Sequence, residues 1–127
     1  MTGARTFEEL RIWQEARVLV KRVYETVGPG TPAERDWGFR DQIQRASISV
    51  MNNIAEGFER TSKADFARLL DVAKGSAGEV RSLLYVAEDL CYMKPGRAQE
   101  LRDAAQTISK GTSALTSHLR KSERDSE

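Results

Sequence analysis

An all-α fold, an antiparallel up-down-up-down four-helix bundle, is predicted by three features of the sequence. Apolar residues recur at spacings of three and four through four long segments. Breaks containing glycine and proline separate those segments, at Gly28-Pro29-Gly30, Gly57 and Lys94-Pro95-Gly96. No stretch alternates apolar and polar residues as a half-buried strand would. The 127 residues, 39% hydrophobic and 31% charged, suit a single domain spanning 1–127 that buries a core without staples.

The first helix is expected over about residues 7–27. Thr6 can cap it while Glu9 reaches back, a capping box. Trp13, Ala16, Leu19, Val20, Val23, Tyr24 and Val27 make its apolar face, and Gly28-Pro29-Gly30 stops it, with glycine free to take the left-handed conformation. The second is expected over about 32–56, opening on the box Thr31-Pro32-Ala33-Glu34, with a possible break near 37–38. Phe39, Ile43, Ala46, Ser47, Val50 and Ile54 form its main face, and Gly57 is its expected stop.

The third helix is expected over about 62–91, capped by Ser62 with Asp65 returning the bond. Gly75 and Gly78 lie inside it, each costing roughly 1 kcal/mol against alanine. Their expected role is to let another helix approach closely. The fourth is expected over about 96–121, where Leu101, Ile108 and Leu115, and Ala105, Thr112 and Leu119, repeat every seven residues. The polar tail KSERDSE is expected to fray.

The stretch NNIAEGFERTSK, residues 52–63, concentrates polar groups. It reads as a corner between two helices, with Asn53, Glu56 and Gly57 as its structural polar residues. A carboxylate near a helix C-terminus is unfavourable, so Glu56 requires a cation or backbone N–H groups beside it. Phe58 is expected to fold back onto the core.

A second apolar stripe runs along the second helix. At about 100° per residue, Ile48, Met51 and Ala55 fall well away from the Ile43, Val50 and Ile54 face. A helix apolar on two sides either meets another chain or is deeply enclosed. These three residues are therefore the candidate subunit interface, the alternative being a skewed bundle.

Chemistry has little support. Cys91 and His118 are the sole residues of their kinds, and they lie on different segments. No Glu-x-x-His, CxxC or HExxH is present, and no strand precedes a glycine-rich loop. No catalytic, metal or cofactor-binding residue is assigned, and neither enzymatic activity nor a cofactor is expected. Cys91 is expected to pack as a small apolar residue, and Trp13 and Trp37 to be structural. The lone cysteine fits a reducing compartment. No apolar run approaches the roughly 20 residues of a membrane span. The start, MTGARTFEELRIW, lacks the apolar segment of a signal peptide. A cytoplasmic location with no membrane partner is expected.

The charge balance, 20 basic against 19 acidic residues, argues against a dedicated nucleic-acid binder. A local patch remains possible. Lys63, Lys74 and Arg81 share one shoulder of the third helix, with Glu88 on that shoulder and Asp71 nearby. A solvated, salt-bridged flank is the ordinary reading of such a pattern.

The runs Phe7-Glu8-Glu9-Leu10-Arg11-Ile12-Trp13-Gln14, Asp41-Gln42-Ile43-Gln44-Arg45-Ala46-Ser47-Ile48-Ser49-Val50 and Asn53-Ile54-Ala55-Glu56-Gly57 resemble those of one family. So do Phe66 through Val80 and Leu83-Leu84 through Met93. The family is the four-helix-bundle 23S rRNA intervening-sequence proteins, or S23 family. The resemblance covers about residues 7–93, and the fourth helix follows only in pattern. Met51, Asn52 and Cys91 stand where the family usually has proline, serine and glycine.

The resemblance implies a bundle that assembles as a homo-oligomeric ring, commonly a pentamer. Some members are encoded within intervening sequences of ribosomal RNA genes. Related proteins are accessory factors of diversity-generating retroelements, where a basic ring surface contacts reverse transcriptase and RNA. Two functions follow as expectations. One is a non-catalytic oligomer that binds RNA or a nucleic-acid-processing partner through Arg40, Arg45, Lys63, Lys74 and Arg81. The other is a protein-interaction scaffold without nucleic-acid contact.

Overall fold

The chain begins with a tighter turn than its capping pattern implies. Phe7–Glu9 is a single 3-10 turn, and the Thr6 side chain makes no capping bond. Glu9 Oε2 accepts instead from the Arg5 backbone N–H at 2.6 Å. Extended Leu10 then leads into α1 (Arg11–Val27), so the first helix starts at Arg11. Gln14 Nε2 donates to Glu8 O at 2.8 Å, and the Phe7 ring sits 5.1 Å from Trp13, which pins the turn to the helix. Residues 3–126 are described by this computed structural model; Met1, Thr2 and Glu127 lie outside them.

Of the two glycines in the break after α1, Gly28 is not the left-handed one. Its φ is −79°, and the positive φ of +81° falls on Gly30. Gly28 is needed for space, since a Cβ there would lie 2.8 Å from Tyr24 O. The Thr31 hydroxyl donates to Gly28 O at 2.7 Å, closing the turn rather than capping a helix. The second helix therefore begins later than 32: α2 is Trp37–Glu59, with Asp36 as its N-cap. One Asp36 oxygen accepts from Phe39 N–H at 3.1 Å, and the other from the Tyr92 hydroxyl at 2.5 Å. The Tyr92 hydrogen bond, and then the Phe39 N–H, hold the Asp36 carboxyl below its ordinary pKa. The same bond pushes the Tyr92 phenol up. A sequence-distant tyrosine thus shares the cap that starts α2.

Gly57 is not the stop of α2. The helix continues to Glu59, and Gly57 is buried inside it. A Cβ there would lie 2.8 Å from Phe66 Cδ1 and 3.2 Å from Leu69 Cβ. Gly57 marks close approach of α2 to α3 (Lys63–Asp89). The close approach expected at Gly75 and Gly78 is found at Gly57 instead. At Gly75 and Gly78 an added Cβ meets nothing within 4 Å, so neither admits a neighbouring helix.

Ser62 caps α3 as expected, its Oγ accepting from Asp65 N–H at 3.0 Å. At the other end Cys91 takes φ 59°. Cys91 N–H bonds Glu88 O at 3.0 Å and Tyr92 N–H bonds Ala87 O at 2.8 Å, the two bonds of a Schellman ending. The thiol-bearing residue is exposed, not packed. It fills a left-handed position that disfavours any side chain by about 1–2 kcal/mol. α4 (Pro95–Ser126) opens on proline, tolerated in a first turn. It continues through the tail to Ser126, five residues past its expected end at 121; the tail's final residue, Glu127, lies outside the described residues.

Four helices and no strand are present among the described residues. α1 packs on α2 and α4, and α3 packs on α2 and α4. Among the described residues α1 does not pack on α3, nor α2 on α4, so the four helices enclose one core. Leu19 and Val23, Ile43, Val50 and Ile54, Leu70, Val80 and Leu84, and Leu101, Ile108 and Leu119 are all fully buried there. Each such side chain contributes about 1.5–3 kcal/mol by leaving water. Trp13 is on this core, but Trp37 is not. Trp37 is 70% exposed, with only the Arg40 guanidinium over its ring at 4.8 Å.

Candidate functional site

The polar corner is held by short-range bonds. Asn53 Nδ2 donates to Ser49 O at 2.8 Å and to Ser49 Oγ at 3.0 Å, and Ser49 Oγ meets Ser76 Oγ of α3 at 2.7 Å. Glu56 has a cation beside it: Arg60 Nη2 donates to Glu56 Oε1 at 2.6 Å. That bond raises the Arg60 pKa above its ordinary value. Phe58 lies against the core, edge-on to Phe66 at 6.0 Å. These contacts join α2 to α3 and offer no reactive group.

Ile48, Met51 and Ala55 are half-buried within one chain, and Met51 and Ala55 pack against the core. The large apolar side chains most open to solvent are elsewhere. Val72, Val86 and, at its C-cap, Leu90 follow one line of α3, Tyr85 is also on α3, Val18 and Tyr24 lie on α1, and Trp37 opens α2. The α3 line was legible as a spacing of fourteen and four residues, but its separation from the core face depends on where α2 and α4 sit.

The five candidate cations do not converge. Arg40 Nη1 donates to Glu34 O at 2.8 Å and its guanidinium covers Trp37. Arg45 is paired with Asp41 at 2.9 Å, which raises its pKa. Lys63 Nζ donates to Ser122 Oγ at 2.7 Å. Only Lys74 and Arg81 share a site, a groove of about 380 Å³ between α3 and α4.

Helix geometry explains that groove. Lys74, Gly78 and Arg81 are spaced i, i+4, i+7, on one face of α3. Gln106, Ser109, Lys110 and Ser113 are spaced i, i+3, i+4, i+7 on α4, and the two sets line the groove together. Gly78 leaves it open, since no atom lies where its Cβ would be. At either end of this seam a carboxylate is already taken. Asp71 accepts from Arg120 Nη2 at 2.6 Å, and Glu88 accepts from Arg102 Nη2 at 3.0 Å. Between those ion pairs the lining carries Lys74, Arg81 and Lys110 and no acid. None of the three has a salt-bridge partner among the described residues. Gln106 Oε1 is buried there without a donor.

The groove lining is cationic and carries no carboxylate, histidine or cysteine. His118 is exposed, beside Lys121, Ser122 and Asp125. Among the described residues no three His, Cys, Asp or Glu side chains are grouped to hold a metal ion. No helix there is long and apolar enough to cross a membrane.

The sequence profile described as "23S rRNA-intervening sequence protein" matches residues 8–114, most of the chain. The chain belongs to that family. The match includes the α4 residues that line the groove, beyond the stretch that the quoted motifs cover. A solved structure from Bacteroides thetaiotaomicron, described as a protein of unknown function from the S23 ribosomal protein family, has the same fold. Its TM-score is 0.75 at 19% identity, covering 83% of this chain and 97% of the other. No curated protein matches the chain.

For this 23S rRNA-intervening sequence family member, the sequence reading missed Lys110, Gln106, Ser109 and Ser113. The signal was their spacing on one side of α4, which the heptad of buried residues on the other side overshadowed. It also missed Arg102, whose side chain is only 8% exposed.

Proposed function

We propose that the protein is a non-catalytic homo-oligomer, a ring of five up-down-up-down bundles, that engages RNA or a nucleic-acid-processing partner. The observation that carries this reading is the acid-free row of Lys74, Arg81 and Lys110 between two satisfied ion pairs. Repeated around a ring, a modest patch becomes a strong local field even at a net charge of +1 per chain. Alternating helix direction is supported by pairings of opposite ends: Lys63 with Ser122, Asp71 with Arg120, Glu88 with Arg102. Ile48, Met51 and Ala55 are the surfaces through which subunits meet, and Arg40, Arg45 and Lys63, which do not line the groove, are separate candidate contacts. The compartment is the cytoplasm.

The test is RNA binding measured against salt. Phosphate contacts make log affinity fall linearly with log salt. Replacing Lys74, Arg81 and Lys110 together with glutamine is expected to shallow that slope by about 2–3. No binding to structured RNA at low salt, or a slope the triple variant leaves untouched, removes the RNA reading. Assembly is tested separately. Light scattering is expected to give five chain masses at micromolar concentration, and a stable monomer overturns the ring.

A second reading, a protein-interaction scaffold, is favoured by the open apolar line Val72, Val86 and Leu90. Nuclease-insensitive capture of protein partners alone from the native host supports it over the first.

A further inference from the structure

We infer that the middle of the α3–α4 seam is a seat for one terminal phosphate, a phosphate monoester rather than the internal diester of a nucleic-acid chain. This deepens, and rests on, the reading of the seam as a phosphate-contacting surface.

The argument is one of charge and valence. Two cations from α3 flank Gly78, and Lys110 faces them from α4. A phosphate monoester presents three terminal oxygens and nearly two negative charges at neutral pH. Lys74, Arg81 and Lys110 supply one cation for each of those oxygens. An internal diester presents two such oxygens and one charge, and leaves one cation unmatched. Ser109 and Ser113 line the same groove and add hydroxyl donors. The carboxylates at the two ends of the seam, Asp71 and Glu88, are held by Arg120 and Arg102, and no carboxylate lines the groove. Buried Gln106 Oε1 lacks a donor. The seat therefore suits a phosphorylated chain end or a small phosphorylated solute.

Gly78 provides the decisive variant. Leucine there removes no charge and meets no atom at its Cβ. Leaving glycine also favours the helix, so the fold is retained while the side chain fills the groove.

The experiment compares one short RNA carrying either a 5′-phosphate or a 5′-hydroxyl, with inorganic phosphate as competitor, on the full chain. The 5′-phosphate form is expected to bind about tenfold tighter, as a partly exposed charge-assisted contact implies. Inorganic phosphate should erase that difference. Gly78→Leu and Lys110→Met should each abolish the preference, and a variant that keeps it overturns the seat. Equal binding of both RNAs to the native protein overturns the seat and leaves the RNA reading standing. Should neither RNA bind, the RNA reading fails, and a direct phosphate titration followed by NMR decides the seat. Phosphate-induced shifts confined to the groove and lost in Gly78→Leu support a seat for a small solute. Absent shifts, or shifts unchanged in that variant, overturn it.

Discussion

Glu88→Ala is expected to lower the unfolding free energy by about 3 kcal/mol, whereas Arg102→Met leaves it unchanged or raises it. The asymmetry lies in the burial of the two partners. The Arg102 side chain is 8% exposed and that of Glu88 is 29% exposed. Arg102 stacks on Tyr85 at 4.1 Å and donates to Glu88 and Gln99, at 3.0 and 2.9 Å. Its Nε and Nη1 are buried without an acceptor. Removing Glu88 leaves a charge in a dry site with only the Gln99 amide to accept from it. Removing the charge itself is different. Methionine keeps the length of the stem and its packing on Tyr85, and it eliminates both unsatisfied donors. Glu88 is left partly hydrated and can bond water. Urea unfolding of the two variants, with unchanged denaturant slopes, checks this. Equal losses in both would mean that the ion pair is a net stabiliser, and the reading would be wrong.

Four helices and most of their core faces are legible in the sequence because periodicity and capping are local. Ser62 and its partner Asp65 are three residues apart, and the cap forms where the pattern puts it. Trp13 lies on a regular stripe and is buried. Errors arise where a local pattern competes with a distant partner. Thr31 through Glu34 has the composition of a capping box, yet Asp36 caps α2 with help from Tyr92, fifty-six residues away. Trp37 sits one residue outside the helix face that would have buried it. The candidate cations show the same limit. Arg45 finds its acid one turn away and Lys63 finds Ser122 on α4. Lys74 and Arg81 acquire meaning only when α4 brings Lys110 opposite them. Spacing places a residue on a face, but what the face meets is decided by the other helices.

Glycines make this point measurable, because two of them should respond with opposite sign. Gly57→Val is expected to destabilise the chain by about 2 kcal/mol. The new Cβ would lie 2.8 Å from Phe66 Cδ1, closer than packed carbons allow, and 3.2 Å from Leu69 Cβ, a tight contact. Phe66 is buried and set edge-on to Phe58, so moving it aside disturbs the core. Gly75→Ala is expected to stabilise by about 1 kcal/mol. That site also lies inside a helix, but its Cβ would meet nothing within 4 Å. Only the backbone entropy of the unfolded chain and the helix preference of alanine then count. Chemical unfolding of both variants in one buffer reads the two signs directly. A gain at Gly57 would mean that Phe66 and Leu69 give way and that the approach of α2 to α3 does not require glycine there. A loss at Gly75 would mean that a surface outside this chain, such as a second subunit, closes over that stretch of α3.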